Sequence, residues 1–567
     1  MATSASAPAA SDSGGAESSG EAGSEPRLQV VPPPLGTVAR EAARRRTFAV
    51  ISHPDAGKST LTEALAHHAR AISSAGAVHG KAGRRGTVSD WMDLERERGI
   101  SITSAALQFP YGEGDREVVI NLIDTPGHAD FSEDTYRVLT AVDCAVMLID
   151  AAKGMEPQTM RLYQVCRGRG IPVIVFVNKW DRPGRDALEL LDELAARTDL
   201  RPAPLTWPVG IAGDFRGVLD RATGELVRPG TAGDVGRAAA SVRRSAGEAA
   251  REEGQPWATA VEEVALLEAD GAIFDGEAFR AGRCAPVLFG AAVDGAGVPE
   301  LLETLVTLAP APGPRLAADG VPRPLDAPFS GVVFKVQAGM DTAHRDRLAF
   351  VRVCSGRFER GTVVTHASTG RPFATKYAQG VFGRERHTVD EAFPGDVVGL
   401  VNASALRVGD TLYAADPGAA PVTFPPLPRF APEHFAVLRA CDAGRYKQFR
   451  RGVSQLEQEG VVQVLHSDRR GEATPVVAAV GPMQFEVAAH RMEHEFSAPT
   501  HLDPLPYTLA RLTRADDVAV LDRQPGVEVL TRSDGALLAL FPDRWRIGHV
   551  QREFPDVLLD PLPATTE

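Results

Sequence analysis

A strand-like run, Thr47–Ile51, leads directly into the polar segment SHPDAGKST at residues 52–60. A tight loop between a buried strand and a helix directs backbone N–H groups at phosphate oxygens. Within it, Gly57 lets the backbone approach closely, Lys58 is placed to reach the β- and γ-phosphates, and the Ser59 hydroxyl can bind Mg²⁺. The segment predicts a phosphate-binding loop, although its first residue is serine where such loops usually have glycine. A chance Gly-Lys-Ser in a helix cap is the alternative.

Further apolar runs follow the loop at helix-length intervals. They cover Val118–Ile123, Cys144–Ile149 and Pro172–Val177. Continuous apolar strands that alternate with helices are typical of a parallel sheet covered on both faces. We therefore predict that residues 39–312 form an α/β domain. Ligands of such sheets bind at the carboxyl ends of the strands.

The first of these runs ends in Asp124-Thr125-Pro126-Gly127-His128. A carboxylate at the carboxyl end of a parallel strand lies beside the phosphate site, where Asp124 can hold Mg²⁺ through water. The Gly127 N–H can sense a γ-phosphate, and His128 is the candidate that orients an attacking water. A turn cap for Asp124 and a solvated loop position for His128 are the alternatives.

The last run ends in Asn178-Lys179-Trp180-Asp181. The Asp181 carboxylate can accept hydrogen bonds from N1–H and the 2-amino group of guanine, a pair of donors that adenine lacks. Lys179 can lie along the face of the base. Alone, this tetrapeptide could be an ordinary polar strand end. Together on successive strands, the three motifs indicate a guanine nucleotide site.

The polar stretch Arg98–Thr103 lies between the phosphate loop and the Asp124 strand. A hydroxyl in this stretch can complete Mg²⁺ coordination while a γ-phosphate is present and let go after hydrolysis, as in nucleotide-driven switches. We assign this role to Ser101 and keep Thr103 as the reserve. A strand-edge serine is the alternative.

Composition narrows the class of protein. The chain has 567 residues, of which 44% are hydrophobic and 24% charged, as in soluble globular proteins of several domains. A net charge of −13 opposes non-specific coating of nucleic acid, and we expect no DNA partner. No apolar run is long enough to span a membrane, and five scattered cysteines favour a reducing, cytoplasmic compartment over disulfides or a zinc site.

Outside the first domain, residues 1–38 are rich in Ala, Ser and Gly and are expected to be a disordered tail without a secretory signal. Residues 313–424 carry short, regularly spaced strand patterns with Gly and Pro turns, which predict a β-barrel. Residues 425–567 mix strand and helix patterns and predict an α+β domain of the split βαβ, ferredoxin-like kind.

With these motifs placed, the chain resembles the translational GTPases, which are similar to elongation factor G, and within them the bacterial peptide chain release factor three family. The resemblance rests on RRTFA and SHPDAGK at residues 45–58, SDWM to RGISIT at 89–103, DTPGH with DFSEDTYR at 124–137, AAKG at 151–154, TWP at 206–208, and MD with HRDR at 340–347. It runs from about residue 40 nearly to the end. Residue 129 is alanine, where this family is expected to have an acidic residue.

The resemblance implies a ribosome-dependent GTPase that promotes dissociation and recycling of class-one peptide release factors, with hydrolysis of GTP to GDP and phosphate freeing the factor itself. The implied partners are the 70S ribosome, both its rRNA and its proteins, and the class-one release factors, and we expect a monomer in solution. The implied cofactors are GTP or GDP and Mg²⁺. The stretch Phe289–Ala292 is similar to the family's final guanine-contacting loop, displaced by a long insertion after Asp181.

The site expected from motifs and resemblance together has catalytic, nucleotide and metal positions. The catalytic residues are His128 and Lys58, and the Mg²⁺ ligands are Ser59, Ser101 and Asp124. The residues expected to contact GTP are Ser52, His53, Pro54, Asp55, Ala56, Gly57, Lys58, Ser59, Thr60, Asp124, Thr125, Pro126, Gly127, His128, Asn178, Lys179, Trp180, Asp181, Gly290 and Ala291.

An acidic factor that binds the ribosome needs local basic surfaces. Two clusters are candidates, and a solvated charged face is the alternative for each. They are Arg345, Arg347 and Arg352 in the barrel, and Arg445, Lys447, Arg450 and Arg451 on a third-domain helix. The other functions we consider are an elongation factor G-like or ribosomal protection GTPase, a metabolic GTPase subunit, and a GTP-binding module that does not hydrolyse its ligand.

Overall fold

In a computed structural model of the chain, the described residues are 36–69, 106–230 and 241–562, apart from 113, 115–116, 127, 339–346, 383–384, 402, 404, 415–420, 428–429, 468–469 and 472–473. The predicted site residues Ser101 and Gly127, the reserve Thr103, Arg345 and residues 1–35 of the predicted tail lie outside them. Within the described residues, no helix combines the length and the apolar character needed to cross a membrane.

The first domain is an α/β unit with an inserted segment. Its strands are β1 (Arg45–Ser52), β2 (Ala106–Tyr111), β3 (Val118–Asp124), β4 (Cys144–Asp150), β5 (Val173–Asn178), β6 (Arg201–Pro204), β7 (Thr206–Val209), β8 (Gly217–Asp220), β9 (Glu225–Arg228), β10 (Val242–Arg244) and β11 (Cys284–Phe289). Its helices are α1 (Thr37–Ala43), α2 (Lys58–His68), α3 (Ser132–Leu139), α4 (Pro157–Gly168), α5 (Ala187–Arg197), α6 (Ala246–Glu253), α7 (Gln255–Ala269), α8 (Gly276–Arg280) and α9 (Val298–Leu308).

Seven strands form the central sheet in the order β2-β3-β1-β4-β5-β11-β6. All neighbours are parallel except β2, which pairs antiparallel with β3. Apolar side chains from both faces enter two separate cores, so the predicted doubly covered sheet is confirmed. The edge strand β2 was not predicted, because Gln108 and Pro110 interrupt its apolar residues.

The first helix is shorter than the sequence suggests. A helical pattern covers Ala39–Arg46, but α1 ends at Ala43 and both Arg45 and Arg46 belong to β1. Tertiary contacts override the local propensity here. Arg45 reaches Asp396 in the second domain, and Arg46 donates to the Val306 carbonyl.

The insertion after Asp181 forms a layer beside the main sheet. Strands β7 to β10 make a separate four-stranded antiparallel sheet. Trp207 on β7 is fully buried, packs edge-on against Phe289, and donates its indole N–H to Glu263 on α7. The insertion therefore supports β11, the strand that carries the predicted Gly290–Ala291 loop.

The second domain is the barrel-like β unit that the sequence predicts, and its strands are antiparallel. Eight of them form one sheet in the order β18-β17-β23-β14-β15-β22-β19-β20, which encloses an apolar core. The strands are β12 (Arg315–Leu316), β13 (Pro322–Arg323), β14 (Ser330–Ala338), β15 (Arg347–Ser355), β16 (Phe358–Glu359), β17 (Val363–His366), β18 (Arg371–Ala374), β19 (Ala378–Phe382), β20 (Glu385–Thr388), β21 (Glu391–Ala392), β22 (Val397–Val401) and β23 (Thr411–Tyr413).

Two of the arginines proposed as a basic surface of the barrel lie in contacts between domains instead. Arg352 is only 4% exposed; it pairs with Asp143 at 2.6 Å and donates to the Ala141 and Gly395 carbonyls. Arg347 is partly buried and donates to Gln458 of the third domain. The charge pattern could not distinguish a solvated arginine from one that is paired across a domain boundary.

The third domain is α+β, as predicted. Its first part has the order β27-β24-β26-β25, with helices after β24 and β26, which is the ferredoxin-like arrangement. Four more strands extend the same sheet as β29-β30-β28-β31. The elements are β24 (His434–Ala440), α10 (Tyr446–Glu459), β25 (Gln463–His466), β26 (Val476–Ala479), α11 (Pro482–His494), β27 (Thr500–Pro504), β28 (Leu509–Thr513), α12 (Val518–Leu521), β29 (Glu528–Arg532), β30 (Leu537–Phe541), α13 (Arg544–Glu553) and β31 (Asp560–Pro561).

Candidate nucleotide-binding site

The predicted motifs meet at the carboxyl edge of the first-domain sheet. The strand register sets Val50 opposite Asp124 and Asp150 opposite Asn178. Phe289, the last residue of β11, lies opposite Val177. Because parallel strands end at one edge, the loops after β1, β3, β4, β5 and β11 surround a common space.

The phosphate loop has the backbone shape that its sequence predicts. Asp55 and Gly57 both have positive φ, +67° and +96°, and α2 begins at Lys58. The first N–H groups of a helix have no acceptor inside the helix, so they remain available to phosphate oxygens. Ser52 is 1% exposed, and its hydroxyl has no hydrogen-bond partner within the described part of the chain.

Lys58 connects the phosphate loop to the loop after β3. Its ammonium donates to the Thr125 carbonyl and lies 3.6 Å from Asp124 Oδ1. Lys58 is 6% exposed and Asp124 1% exposed. A cation and a carboxylate buried together at a helix N-terminus suit the binding of a phosphate and a divalent metal ion.

His53 and Thr125 hold their loops in place from opposite sides. The His53 N–H donates to Thr159 Oγ1, and its ring nitrogen Nδ1 lies 3.0 Å from Glu156 Oε2 at the start of α4. The Thr125 hydroxyl donates to the Val50 carbonyl at 2.6 Å. These contacts tie the phosphate loop to α4 and the loop after β3 to β1.

Asn178 joins three loops of the site through its side-chain amide. Its Nδ2 donates to the Ala56 carbonyl at 2.8 Å, and its Oδ1 accepts from the Ala292 N–H at 2.9 Å. The Trp180 N–H donates to the Gly290 carbonyl at 3.1 Å. The Trp180 indole packs on Phe289 inside the core, so only its backbone borders the site.

Lys179 is held by a carboxylate that the sequence analysis missed. Its ammonium donates to the Asp55 carbonyl and to Asp150 Oδ2, the latter at 2.8 Å. Burial alone would raise the pKa of Asp150, but hydrogen bonds from Lys179 and the Ala152 N–H lower it. Asp150 ends β4, so the strand-end argument used for Asp124 could have found it.

Asp181 faces the site with an unsatisfied oxygen. Its Oδ1 is buried and has no hydrogen-bond partner among the described residues, while Oδ2 lies 3.5 Å from Arg182. Burial, and then the Asp181 charge, raise the pKa of neighbouring Asp294. A buried acceptor without a donor is the feature that a base bearing two N–H donors would satisfy.

His128 borders the phosphate side of the site. Its ring nitrogen Nδ1 lies 3.4 Å from Asp130 Oδ1 and accepts from the Asp130 N–H at 3.3 Å. The ring also meets Phe131 edge-on at 6.3 Å. Nearer to β3 in the same loop, Pro126 accepts the Thr135 hydroxyl through its carbonyl.

Comparison with known families agrees with this arrangement. A model of the elongation factor Tu GTP-binding domain matches residues 43–311. A model of elongation factor G domain 2 matches residues 328–415, and a model of the C-terminal domain of the class II release factor RF3 matches residues 424–551.

Curated relatives decide the family. Peptide chain release factor 3 of Gloeobacter violaceus is 45% identical over 533 residues, which is 92% of this chain and 97% of that protein. The chain belongs to the peptide chain release factor 3 family. The factor of Symbiobacterium thermophilum is 43% identical over 92% of this chain and 98% of that protein, and the factor of Bordetella pertussis is 47% identical over 85% and 89%.

A solved structure shares the fold. A protein of Thermus thermophilus, known from its crystal structure, superposes with a TM-score of 0.64 over 87% of this chain and 72% of that one, at 21% identity. As a member of the release factor 3 family with this GTP-binding domain, the chain is a guanine nucleotide-binding GTPase of translation termination.

The structure brings most of the predicted site together. The loops that carry Ser52–Thr60, Asp124–Pro126, His128, Asn178–Asp181 and Gly290–Ala291 all end at the same sheet edge. Asp55 and Thr60 are exposed at the mouth of the loop. Asp150, the Ala292 N–H and Asp294 are the neighbours that the sequence analysis missed. Acidic and hydroxyl oxygens beside Lys58 suit Mg²⁺, and the buried Asp181 oxygen suits guanine.

The close contact at Gly57 gives a first testable prediction. A Cβ at this position would lie 2.5 Å from Asn178 Nδ2, and the φ of +96° disfavours any other residue. Gly57→Ala is therefore expected to weaken GDP binding about tenfold or more, because the backbone conformation alone costs roughly 1–2 kcal/mol. Titration with a fluorescent GDP analogue measures the change.

Gly168→Ala is the matched control for this prediction. Gly168 lies in the last turn of α4, where an added Cβ meets nothing within 4 Å. GDP affinity should be the same as in the unmodified chain. Equal affinities for Gly57→Ala and Gly168→Ala would show that the loop does not hold the nucleotide as we describe.

Proposed function

We propose that this chain is a ribosome-stimulated GTPase that promotes dissociation of class-one peptide release factors and then leaves the ribosome after hydrolysis. The observation that carries the proposal is the meeting of phosphate, base and histidine loops at one sheet edge in a member of the release factor 3 family. The same family resemblance leads us to propose that the chain is cytoplasmic and monomeric and that it binds the 70S ribosome and class-one release factors.

The phosphates of GTP would be bound by the loop before α2. Backbone N–H groups between Asp55 and Thr60 would surround the phosphate oxygens, and Lys58 would exchange the Thr125 carbonyl for the β- and γ-phosphates. Ser59 and Asp124, with Ser101 outside the described residues, would hold Mg²⁺, which neutralises phosphate charge when bound.

The base would be selected by Asp181 and positioned by its neighbours. The unpaired Asp181 oxygen would accept from guanine, and the Lys179 stem, braced by Asp150, would cover one face of the base. Asn178 supports this arrangement indirectly, because it ties the Ala56 and Ala292 backbones to each other. The Gly290–Ala291 turn would then approach the base with its backbone.

Hydrolysis is phosphoryl transfer from GTP to water. Lys58 would neutralise charge that develops on the phosphates, and His128 would orient the attacking water. We expect slow hydrolysis until the ribosome completes the site, as in GTPases whose transition state is stabilised by a partner. Four cations on and just before α10 remain candidates for rRNA contact: Arg445, Lys447, Arg450 and Arg451.

The test is GTP hydrolysis with and without vacant 70S ribosomes, with ATP as a negative control. His128→Ala is expected to lower the ribosome-stimulated rate by about 10²–10⁴, the usual effect of a positioned proton-handling side chain. GDP affinity should not change, since GDP lacks the γ-phosphate at which His128 would orient the attacking water. The rate is measured from released phosphate at saturating GTP.

His501→Ala provides the matched control. His501 lies 3.1 Å from Asp503, two residues further on, as His128 lies beside Asp130, but it is 70% exposed in the third domain. It should retain full stimulation. Hydrolysis that ignores ribosomes, or a His128→Ala variant that is still stimulated, would contradict the proposal.

Release-factor recycling needs its own assay. Ribosomes stalled after peptide release, carrying a fluorescent class-one factor, should lose that factor faster when this chain and GTP are added. Movement of mRNA under the same conditions would instead support the elongation factor G-like alternative. The C-terminal match to the release factor domain already favours the first outcome.

A further inference from the structure

The segment that follows His128 is held by the third domain. Asp130 Oδ2 accepts a hydrogen bond of 2.7 Å from the N–H of Met483, in the first turn of α11. This contact joins residues 353 positions apart in the chain. Asp130 is largely buried, with 13% of its side chain exposed.

Gly481 makes the approach possible. Its φ of −143° and ψ of 162° are ordinary extended values, so the backbone itself does not require glycine. A Cβ at Gly481 would overlap the Asp130 carboxyl group. The absence of a side chain at residue 481 is therefore what allows Asp130 to sit against the start of α11.

Two more contacts support the same attachment. Phe131 packs with Val487 of α11, and the partly buried Val461 and Met483 complete this small cluster. Further along, the Arg137 guanidinium lies directly against Gly460, at the end of α10, while it pairs with Glu133 on its own helix. The segment from Asp130 to Arg137 is thus attached to the third domain at three points.

The Asp130 carboxylate also touches His128. Its Oδ1 lies 3.4 Å from His128 Nδ1, and the Asp130 N–H donates to the same nitrogen. One carboxylate group therefore contacts the candidate water-orienting ring through one oxygen and the third domain through the other. The His128 side chain has a hydrogen bond with Asp130 and a ring contact with Phe131, and both of these residues contact α11.

We propose that Asp130 is a positioning residue through which the docked third domain restrains His128. Movement of α11 away from the first domain removes the hydrogen bond from Met483 and the packing on Phe131, and so frees the His128 ring to turn toward the phosphates. The position of the third domain then controls hydrolysis without touching the nucleotide. This inference rests on the proposed water-orienting role of His128.

Gly481→Ala separates this restraint from the chemistry. The added methyl group displaces the Asp130 carboxyl group without straining the backbone of residue 481. Hydrolysis without ribosomes is expected to rise about fivefold or more, the lower end of common coupling between sites. At saturating ribosomes the rate should stay within about twofold of the unmodified chain, because the ribosome-bound state no longer uses the restraint.

A double-mutant cycle tests whether Asp130 carries the effect. Asp130→Ala should raise the ribosome-free rate by the same factor as Gly481→Ala, and the double variant should rise no further. Asp130→Asn keeps an oxygen for the Met483 N–H and the shape of the side chain, so it should stay near the original rate. Gly548→Ala, where an added Cβ meets nothing within 4 Å, is the control in the third domain.

Three results would overturn the proposal. The first is a hydrolysis rate without ribosomes that is unchanged or lower in Gly481→Ala. The second is a rate in the Gly481→Ala, Asp130→Ala double variant equal to the product of the two single effects. The third is a raised rate in Asp130→Ala that persists when His128→Ala is added. General damage to the fold would instead lower the rate with ribosomes as well. Failure of the proposed function appears in a separate measurement, the ribosome-stimulated rate of His128→Ala alone.

Discussion

Asp181→Asn is expected to weaken GTP binding by about 10⁴, the discrimination typical of a site built to pair with specific substrate donors. An asparagine amide presents N–H groups where guanine also presents donors, so the pairing is lost. Xanthine has a carbonyl at the position of the guanine 2-amino group and can accept from that amide. Affinity for xanthosine triphosphate should therefore rise in the variant.

Competition between GTP and xanthosine triphosphate for a fluorescent nucleotide analogue measures the change. Asp192→Asn is the matched control, since Asp192 is an exposed acid on α5 and should keep the preference for GTP. The buried, unpartnered Asp181 oxygen is the physical basis of the expectation. If Asp181→Asn still preferred GTP, the base would have to be recognised elsewhere.

Arg45→Ala is expected to destabilise the chain by about 3–5 kcal/mol, because it leaves a buried carboxylate without its charged partner. Arg45 Nε donates to Asp396 Oδ2 at 2.8 Å across the boundary between the first two domains, and the two side chains are 8% and 4% exposed. The guanidinium also lies over the Phe393 ring at 4.8 Å. Both interactions disappear in the variant.

Thermal unfolding measures this loss, as does proteolysis at residues 309–314, which connect α9 to β12. Asp396 keeps three uncharged partners, the amides of Gln108 at 2.8 Å and Asn121 at 3.3 Å and the Phe393 N–H at 2.9 Å, so we expect an effect in the lower part of this range. Arg40→Ala, at an exposed position on α1, should stay within about 0.5 kcal/mol. An effect of Arg45→Ala as small as that of Arg40→Ala would contradict the argument.

Local sequence was sufficient for the elements and motifs of the nucleotide site. The strand before Ser52 and the strands that end at Asp124 and Asn178 were predicted within one or two residues, since buried parallel strands are continuous apolar runs. The edge strand β2 was missed because Gln108 and Pro110 interrupt its apolar residues. The predicted order of an α/β, a β and an α+β region agrees with the structure.

Contacts between distant residues were beyond any local pattern. Nothing in the local sequence distinguishes Arg352 from a surface arginine. It is buried against Asp143, and this contact is visible only where the two domains meet. Asp130 follows a recognisable loop, yet its partner Met483 is carried by a helix of another domain. Asp150 could have been predicted from its position at the end of a strand. Its hydrogen bond with Lys179 shows what this carboxylate does in the site.

The sequence by itself determined that a phosphate-loop motif and the two aspartates proposed to bind metal and guanine follow strands of one sheet, because each motif depends on residue type next to a single strand. The tertiary structure decided which charges are buried, how the domains meet, and that the third domain holds the segment next to His128. These properties depend on contacts between residues hundreds of positions apart. Such contacts bury and pair side chains that would otherwise be solvated.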